Sequence, residues 1–166
     1  IWRRYVYRIS DASEPPDPLY RYQIAQLPTE VDLARFNEEA ATLLGLKDFG
    51  AFCRGREGAS TIRTLLELSG RRVTSGPMAG VIECTVRADA FCHSMVRSLV
   101  GGLVAVATGR RDHEWLAEVM ERGVRDSTIV VLPAHGLTLE EVGYPADHEL
   151  AARALEARAV RQLSQS

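Results

Sequence analysis

A single arginine, Arg97, interrupts the apolar run AFCHSMVRSLVGGLVAVATG at residues 90–109. Large apolar residues recur every four positions in this run, which predicts a helix with an apolar stripe. They are Phe91, Met95, Leu99 and Leu103. Because the neighbouring positions are also apolar, we expect the helix to be buried on nearly every side, and Arg97 to be partly buried. A guanidinium keeps its proton inside a protein, so a buried one requires an anion.

The sequence near Arg97 contains no obvious partner for its charge. Asp89 lies eight residues earlier, about two helical turns away, and the next acidic residue downstream is Asp112. The anion is therefore a carboxylate far along the chain, a ligand phosphate, or a group on a segment outside this chain. Arg97 then forms a structural ion pair, orients a catalytic carboxylate or holds a phosphate, and the residues alone leave these alternatives open.

The composition indicates a globular protein and gives no bulk signal for nucleic-acid binding. The 166 residues are 46% hydrophobic and 25% charged, with a formal net charge of −2. This fits one domain or a large part of a bigger one. Lys47 is the only lysine among twenty cations; arginine suits forked phosphate contacts, although an arginine-favouring genome explains the same bias. We expect no membrane span, because an arginine in the middle of the apolar run is costly in lipid.

The three cysteines, Cys53, Cys84 and Cys92, show neither C-x-x-C spacing nor a metal-binding pattern with the four histidines. Their odd number predicts reduced thiols and a cytoplasmic location. The chain shows no signal peptide. It begins without methionine in a segment that already alternates like a strand, so we expect a fragment of a longer protein.

The spacing of apolar and turn-forming residues predicts interleaved strands and helices. The predicted strands lie at residues 1–9, 19–26, 61–68, 81–88, 127–133 and 136–144. The predicted helices lie at residues 29–44, 89–108, 113–123 and 146–166, with Thr29 and Asp89 as caps and Gly45 and Gly109 as stops. Residues 47–60 are expected to be a loop, and the third and fourth strands an antiparallel hairpin. The fold class is therefore α+β, with a mostly antiparallel sheet and helices packed on one face.

Four stretches, in order, resemble the tRNA pseudouridine synthase A family. They are RRYVY at 3–7, KDFGAF at 47–52, ADAFCHSMVRSLVG at 88–101 and HGLTLEEVGYP at 135–145, with the strand STIRTL at 60–65 between them. The resemblance implies two α/β halves around a positively charged cleft. It implies isomerisation of uridine to pseudouridine in the anticodon stem-loop of tRNA by a cytoplasmic homodimer, without a metal or organic cofactor and without a membrane partner.

The resemblance also implies that residues 1–145 are the C-terminal domain of such an enzyme, with 146–166 as a peripheral tail. The family's catalytic aspartate lies in an RTDAGVH-like motif of the N-terminal half, and no aspartate of this chain stands in that context. The chain alone is therefore expected to be inactive. Arg97 matches the arginine that pairs with this aspartate, which explains the missing local partner.

Two further residues take roles from the same resemblance. Tyr5 matches the tyrosine that stacks on the target base and helps to move its C5 proton, although ordinary strand packing is the alternative. Leu137 matches an apolar residue that packs against the base, and core packing is its alternative. The sequence departs from the common family pattern at Lys47, where histidine is frequent, and at Thr138, where an aromatic residue is frequent.

Several arginines are weaker candidates for contacts with RNA phosphates, which position RNA without reading its sequence. They are Arg3, Arg4, Arg54, Arg56 and Arg63. Solvated surface charge explains Arg54 and Arg56 equally well, and His93 is interpreted as a packing residue. Two other functions stay open: a non-catalytic RNA-binding module of similar architecture, and a metabolic enzyme that uses Arg97 on a phosphorylated metabolite.

Overall fold

The computed structural model describes residues 1–55 and 58–150 of the chain. Within these ranges it contains six strands and three α-helices. The strands are β1 (Trp2–Ser10), β2 (Ala25–Gln26), β3 (Gly45–Asp48), β4 (Ile62–Arg72), β5 (Ile82–Ala88) and β6 (Leu137–Gly143). The helices are α1 (Leu33–Thr42), α2 (Met95–Ala107) and α3 (His113–Arg122).

The six strands form one sheet in which β1 is central to the pairing. The order is β2-β1-β5-β4-β3, and β6 also pairs with β1. Strand β6 covers one edge of β1 from Trp2 to Tyr7, and the short β2 continues along that edge at Ile9 and Ser10. Only the β1–β2 pairing is parallel among the described strands. This confirms the predicted α+β fold with a mostly antiparallel sheet.

The two faces of the sheet have different chemistry, as the alternation of β1 predicts. Tyr7 and Ile9 are fully buried on the face that carries the helices. On that face α1 packs so closely on β4 that a Cβ at Gly70 would lie 3.0 Å from Phe36 Cδ1. On the other face, ion pairs cover the strands, for example Arg8 with Glu83 and Glu140.

Helix α2 begins six residues later than predicted. Asp89 does not cap it; its carboxylate instead accepts from the backbone N–H of Thr64 at 3.1 Å. The N-cap is Ser94, whose φ of 69° is left-handed, a conformation that non-glycine residues seldom adopt. The predicted end is confirmed, since α2 stops at Ala107 and Gly109 has a φ of 73°.

Other boundaries also differ from the predictions. Helix α1 is capped by Asp32, whose carboxylate accepts from Arg35 N, rather than by Thr29. Gly45 does follow that helix, but it is also the first residue of β3. The second half of β3, residues 47–48, lies in the segment predicted as a loop. The strand predicted at 19–26 shortens to β2, whereas β4, β5, β6 and α3 form close to their predicted positions.

Residues 127–133, predicted as a strand, form no strand. Residues 129–133, here called the crossing segment, pass over α2 at very short range. A Cβ on Gly101 would lie 1.9 Å from the carbonyl oxygen of Val130, so only glycine permits this approach. The side chains of Ile129 and Leu132 are buried. Burial against a helix therefore replaces the strand pairing that the β-branched residues favour.

The prediction of three reduced cysteines is wrong for two of them. Cys53 and Cys92 form a disulfide across 39 residues of sequence, with their Cα atoms 5.6 Å apart, while Cys84 is free and buried. The fold brings the two together because the turn after β3 lies beside the segment that precedes α2.

No helix in the described ranges has both the length and the apolar character to cross a membrane. Helix α2 itself has 13 residues. Residues 151–166, which make up most of the helix predicted at 146–166, lie outside the described residues. The domain boundary expected at residue 145 stays a prediction.

Candidate active site

A cavity of about 300 Å³ opens where the helix-bearing face of β1, the first turn of α2 and the start of β6 meet. Its lining includes Tyr5, Arg97 and Leu137, the three residues that the sequence singled out most strongly. The remaining lining residues are Phe91, Cys92, His93, Ser94, Met95 and Val96. Residues 40 to 132 positions apart in the chain thus share one site.

Three separate elements place the three side chains. Tyr5 pairs with Val86 of β5 and Leu139 of β6 in the middle of the sheet. The register of β6 shifts between Arg4 and Tyr5, which is the irregularity of a β-bulge. Bulges change the direction of neighbouring side chains and occur often beside active sites. Leu137 is the first residue of β6 and pairs with Tyr7, two residues beyond Tyr5.

Phe91, predicted from the sequence only as part of the apolar stripe of a helix, precedes α2 and lines the cavity. Its ring meets the Tyr5 ring edge to face, with centroids 5.1 Å apart and an interplanar angle of 87°. This geometry is the favoured one for aromatic pairs. The segment that carries Phe91 is fixed by the Cys53–Cys92 disulfide and by the N–H of Arg54, which donates to His93 O at 3.0 Å. Tyr5 is therefore oriented by a wall that lies outside any helix or strand.

Arg97 is the only residue of α2 that is not buried. Its Nη1 donates to the carbonyl oxygen of Leu132 at 3.3 Å, and its Nη2 donates to Ser94 Oγ at 3.3 Å. In the described ranges no carboxylate forms an ion pair with it. Both acceptors are neutral, so they hold the guanidinium without cancelling its charge. A structural ion pair with a distant carboxylate of the described chain is thereby excluded.

Ser94 links Arg97 to the outer rim of the cavity. Its Oγ accepts from Arg97 and lies 2.9 Å from Nδ1 of His93, whose side chain is exposed. A non-glycine residue in the left-handed region stores strain that the surrounding structure must support, and such residues concentrate at functional sites. Position 94 thus joins an unusual backbone conformation to a direct contact with Arg97.

Tyr7 lies behind the cavity and is fully buried. Its hydroxyl donates to the carbonyl oxygen of Pro133 at 2.7 Å. Burial raises the pKa of Tyr7 well above its usual range, although the nearby charge of Arg97 acts in the opposite direction. The phenol therefore stays protonated and remains a hydrogen-bond donor at neutral pH.

Among the weaker candidates, Arg3, Arg4, Arg54 and Arg63 do not line the cavity. Arg4 lies on the opposite face of β1 from Tyr5 and binds Glu140 at 3.2 Å and Glu141 at 3.0 Å. Arg63 donates to the carbonyl oxygen of Ile62 and pairs with Lys47 across β3 and β4. Their roles in RNA binding, like that of Arg3 two residues before Tyr5, stay predictions.

Arg54 is exposed, and Arg56 lies outside the described residues. His93, interpreted from sequence as a packing residue, is exposed at the rim instead. Within residues 1–55 and 58–150, no group of three or more His, Cys, Asp or Glu side chains is placed to hold a metal ion.

Comparison with known proteins assigns the family. The profile of the family described as tRNA pseudouridine synthase matches residues 40–145. This chain belongs to the tRNA pseudouridine synthase family. The match includes β3 to β6 and all of α2, and so covers Phe91, Arg97 and Leu137 of the cavity.

Curated relatives extend the match to nearly the whole chain. The chain is 56% identical to tRNA pseudouridine synthase A of Cutibacterium acnes over 161 residues, which cover 97% of this chain and 57% of that protein. It is 52% identical to the protein of the same name from Streptomyces griseus, with 98% and 56% covered. The corresponding protein of Mycobacterium leprae is 43% identical, with 96% and 54% covered. The chain thus spans little more than half the length of these relatives.

Proposed function

We propose that this chain is the C-terminal half of an enzyme that converts uridine to pseudouridine in the anticodon stem-loop of tRNA. In this proposal a catalytic aspartate comes from the N-terminal half, which this chain does not contain, and the complete enzyme is a cytoplasmic homodimer without cofactor. The chain alone is inactive. Family membership supports the reaction class, and the high identity to proteins named tRNA pseudouridine synthase A supports the substrate.

The observation that carries the proposal is the state of Arg97. The guanidinium lines the cavity beside Tyr5 and Leu137, with only neutral acceptors around it in the described chain. A carboxylate that entered the cavity would meet an oriented positive charge with two of its five donors already used. Such a charge lowers the pKa of a carboxyl group and keeps it ionised. A structural arginine would have its anion within the same fold.

The chemistry requires what the other two residues offer. The bond between N1 of the uracil and C1′ of the ribose breaks, the base turns, and a bond forms between C5 and C1′. The C5 proton then leaves, and N1 gains a proton. A base that leaves its stack is commonly held by aromatic faces and apolar contacts. Tyr5, held by Phe91, supplies a flat ring at one side of the cavity, and Leu137 supplies an apolar surface at another.

The test is the substitution Arg97→Ala in the full-length natural protein. Turnover is measured as tritium released from tRNA labelled at C5 of uridine. We expect a loss of about 10²- to 10³-fold, the usual effect of removing one preorganised electrostatic contact from an active site. Arg97→Lys retains the charge but not the forked geometry, so we expect an intermediate rate. Arg110→Ala is the matched control, because Arg110 is exposed just after α2, where its Nε donates to Thr108 Oγ1 at 3.3 Å, and it does not line the cavity.

Near-normal turnover by the Arg97→Ala protein would refute the role given to Arg97. Binding is measured separately, with a labelled anticodon stem-loop at several salt concentrations. If the full-length wild-type protein binds this RNA and releases no tritium, the non-catalytic RNA-binding module becomes the better interpretation. If it neither binds RNA nor releases tritium, and inorganic phosphate binds at Arg97, the metabolic enzyme is favoured.

A further inference from the structure

The crossing segment (residues 129–133) connects Arg97 to Tyr7, which does not line the cavity. Arg97 and Leu132 contact each other twice: Leu132 N donates to Arg97 O at 3.4 Å, and Arg97 Nη1 donates to Leu132 O at 3.3 Å. The next residue, Pro133, accepts a hydrogen bond from Tyr7 at 2.7 Å. Two consecutive carbonyls of one segment are thus held by β1 and α2.

We propose that Tyr7 is a positioning residue for Arg97, which it holds through the backbone of Leu132 and Pro133. This inference rests on the function proposed above, because the position of Arg97 matters for turnover only in an enzyme that uses it. Tyr7 touches no substrate in this arrangement. Its hydroxyl fixes where the Leu132 carbonyl lies, and that carbonyl fixes one nitrogen of the guanidinium.

Close to Arg97, the position of the crossing segment depends on its contacts with α2 on one side and with Tyr7 on the other. Pro133 has no N–H, so its carbonyl is its only backbone hydrogen-bonding group. On the opposite side, the contact of Val130 O with Gly101 sets how near the segment lies to α2. The chain then turns back at Gly136, where a Cβ would lie 2.8 Å from Cζ of the Tyr7 ring. The segment is therefore held between α2 and Tyr7.

Removing the Tyr7 hydroxyl releases the side of the segment that faces β1. Without this donor, the Pro133 carbonyl loses the hydrogen bond that ties it to β1. The Leu132 carbonyl and the guanidinium then sample a wider range of positions. Misplacement of a reacting or orienting group by about 1 Å can lower a rate by about 10²-fold. A smaller displacement is expected here, because the contacts with α2 remain.

The experiment compares two hydroxyl deletions on β1 in the full-length natural enzyme. Tyr7→Phe removes the donor to Pro133. Ser10→Ala is the matched control, because the hydroxyl of the buried Ser10 also donates to a backbone carbonyl, that of Glu14 at 3.0 Å. Ser10 is the last residue of β1 and does not line the cavity. Folded fraction, thermal midpoint, kcat and KM for tRNA are measured for both.

We expect Tyr7→Phe to lower kcat about tenfold with KM for tRNA unchanged. Ser10→Ala is expected to lose stability but to keep its kcat. 4-Aminophenylalanine introduced at position 7 restores a donor in nearly the same place and should recover most of the rate. Wild-type kcat in the Tyr7→Phe enzyme, or an equal loss of kcat in both hydroxyl deletions, overturns the inference.

A double substitution tests whether the effect passes through Arg97. In the Arg97→Lys enzyme the forked contact is already lost, so adding Tyr7→Phe should lower kcat little further. An equal decrease in both backgrounds overturns the inference. Should Tyr7→Phe fail to fold, Gly101→Ala displaces the same segment from its other side, and full turnover of that folded variant is the contradictory result. If Arg97→Ala is inactive while Tyr7→Phe is normal, only the positioning role fails; if Arg97→Ala is active, the proposed function fails.

Discussion

The two adjacent glycines of α2 provide a sharp test of how the crossing segment lies on the helix. A Cβ at position 101 would lie 1.9 Å from Val130 O, whereas one at position 102 would lie 3.4 Å from Phe52 Cε1 and 3.7 Å from Leu116 Cδ1. The first contact is impossible without movement, and the second is ordinary van der Waals contact. Gly101→Ala and Gly102→Ala therefore add the same methyl group to the same helix with opposite expected results.

The magnitudes follow from the distances. To bring Val130 O out to an ordinary contact of 3.4 Å, the crossing segment must move by about 1.5 Å. Overpacking of this kind typically destabilises a protein by about 1–3 kcal/mol. Replacing glycine by alanine inside a helix contributes about 0.8–1.0 kcal/mol in the other direction. We expect Gly101→Ala to lose up to about 2 kcal/mol and Gly102→Ala to be neutral or more stable.

Urea denaturation of both variants at neutral pH measures the free energy of unfolding, and tritium release measures turnover. Because Leu132 O lies two residues beyond Val130, Gly101→Ala is also expected to lower kcat, whereas Gly102→Ala should turn over normally. If both variants have the same stability and the same kcat, the segment does not press on α2 as described. That result would remove the structural basis for linking it to Arg97.

Two further predictions concern contacts that stabilise the fold. Burial raises the pKa of Asp11, but hydrogen bonds from Arg72 and Ser13 lower it by more than burial raises it. The pKa of Asp11 therefore lies well below its usual range. Asp11→Asn should therefore cost about 3 kcal/mol at pH 7, the low end for buried pairs because the Arg72 side chain is 28% exposed. Because the pKa of Asp11 is lower in the folded than in the unfolded protein, where it is about 3.9, its ionised form stabilises the fold above about pH 4. Urea denaturation at several pH values should therefore show the stability advantage of the wild type over Asp11→Asn shrinking below about pH 4. A difference that stays constant with pH would contradict the pairing. Reduction with dithiothreitol, or Cys92→Ser, should lower the free energy of unfolding by about 2–4 kcal/mol, and an unchanged thermal midpoint in reductant would show that the Cys53–Cys92 bond contributes nothing.

Sequence patterns predicted the elements whose side-chain period and turns agree with their final environment. The β4–β5 hairpin and α3 formed close to their predicted positions because alternation and helical spacing match one buried face in each. Strand β6 also formed where predicted, although none of its residues is buried. The segment 127–133 failed for the opposite reason. Its β-branched residues favour a strand, but the segment instead passes over α2 and buries Ile129 and Leu132. Propensity was overruled by tertiary packing.

The site was predictable where it depended on motifs and unpredictable where it depended on contacts. The family resemblance named Tyr5, Arg97 and Leu137, and the cavity contains all three. Nothing in the sequence signals that Ser94 is left-handed, and this conformation explains why α2 starts late. The disulfide joins cysteines 39 residues apart, and the donor role of Tyr7 appears only once Pro133 lies beside it.

Two arginines of this chain show how differently a fold can treat the same side chain. Arg72 binds Asp11 through two nitrogens at 3.1 and 2.8 Å, and the carboxylate is completely buried, so this charge is neutralised inside the fold. Arg97 has a carbonyl and a hydroxyl as its acceptors, and the described chain provides no anion. Neutral acceptors fix direction, while a carboxylate would compete with any incoming anion for the same donors. The first arginine stabilises the fold, and the second is held in place with its charge available to a group that arrives from elsewhere.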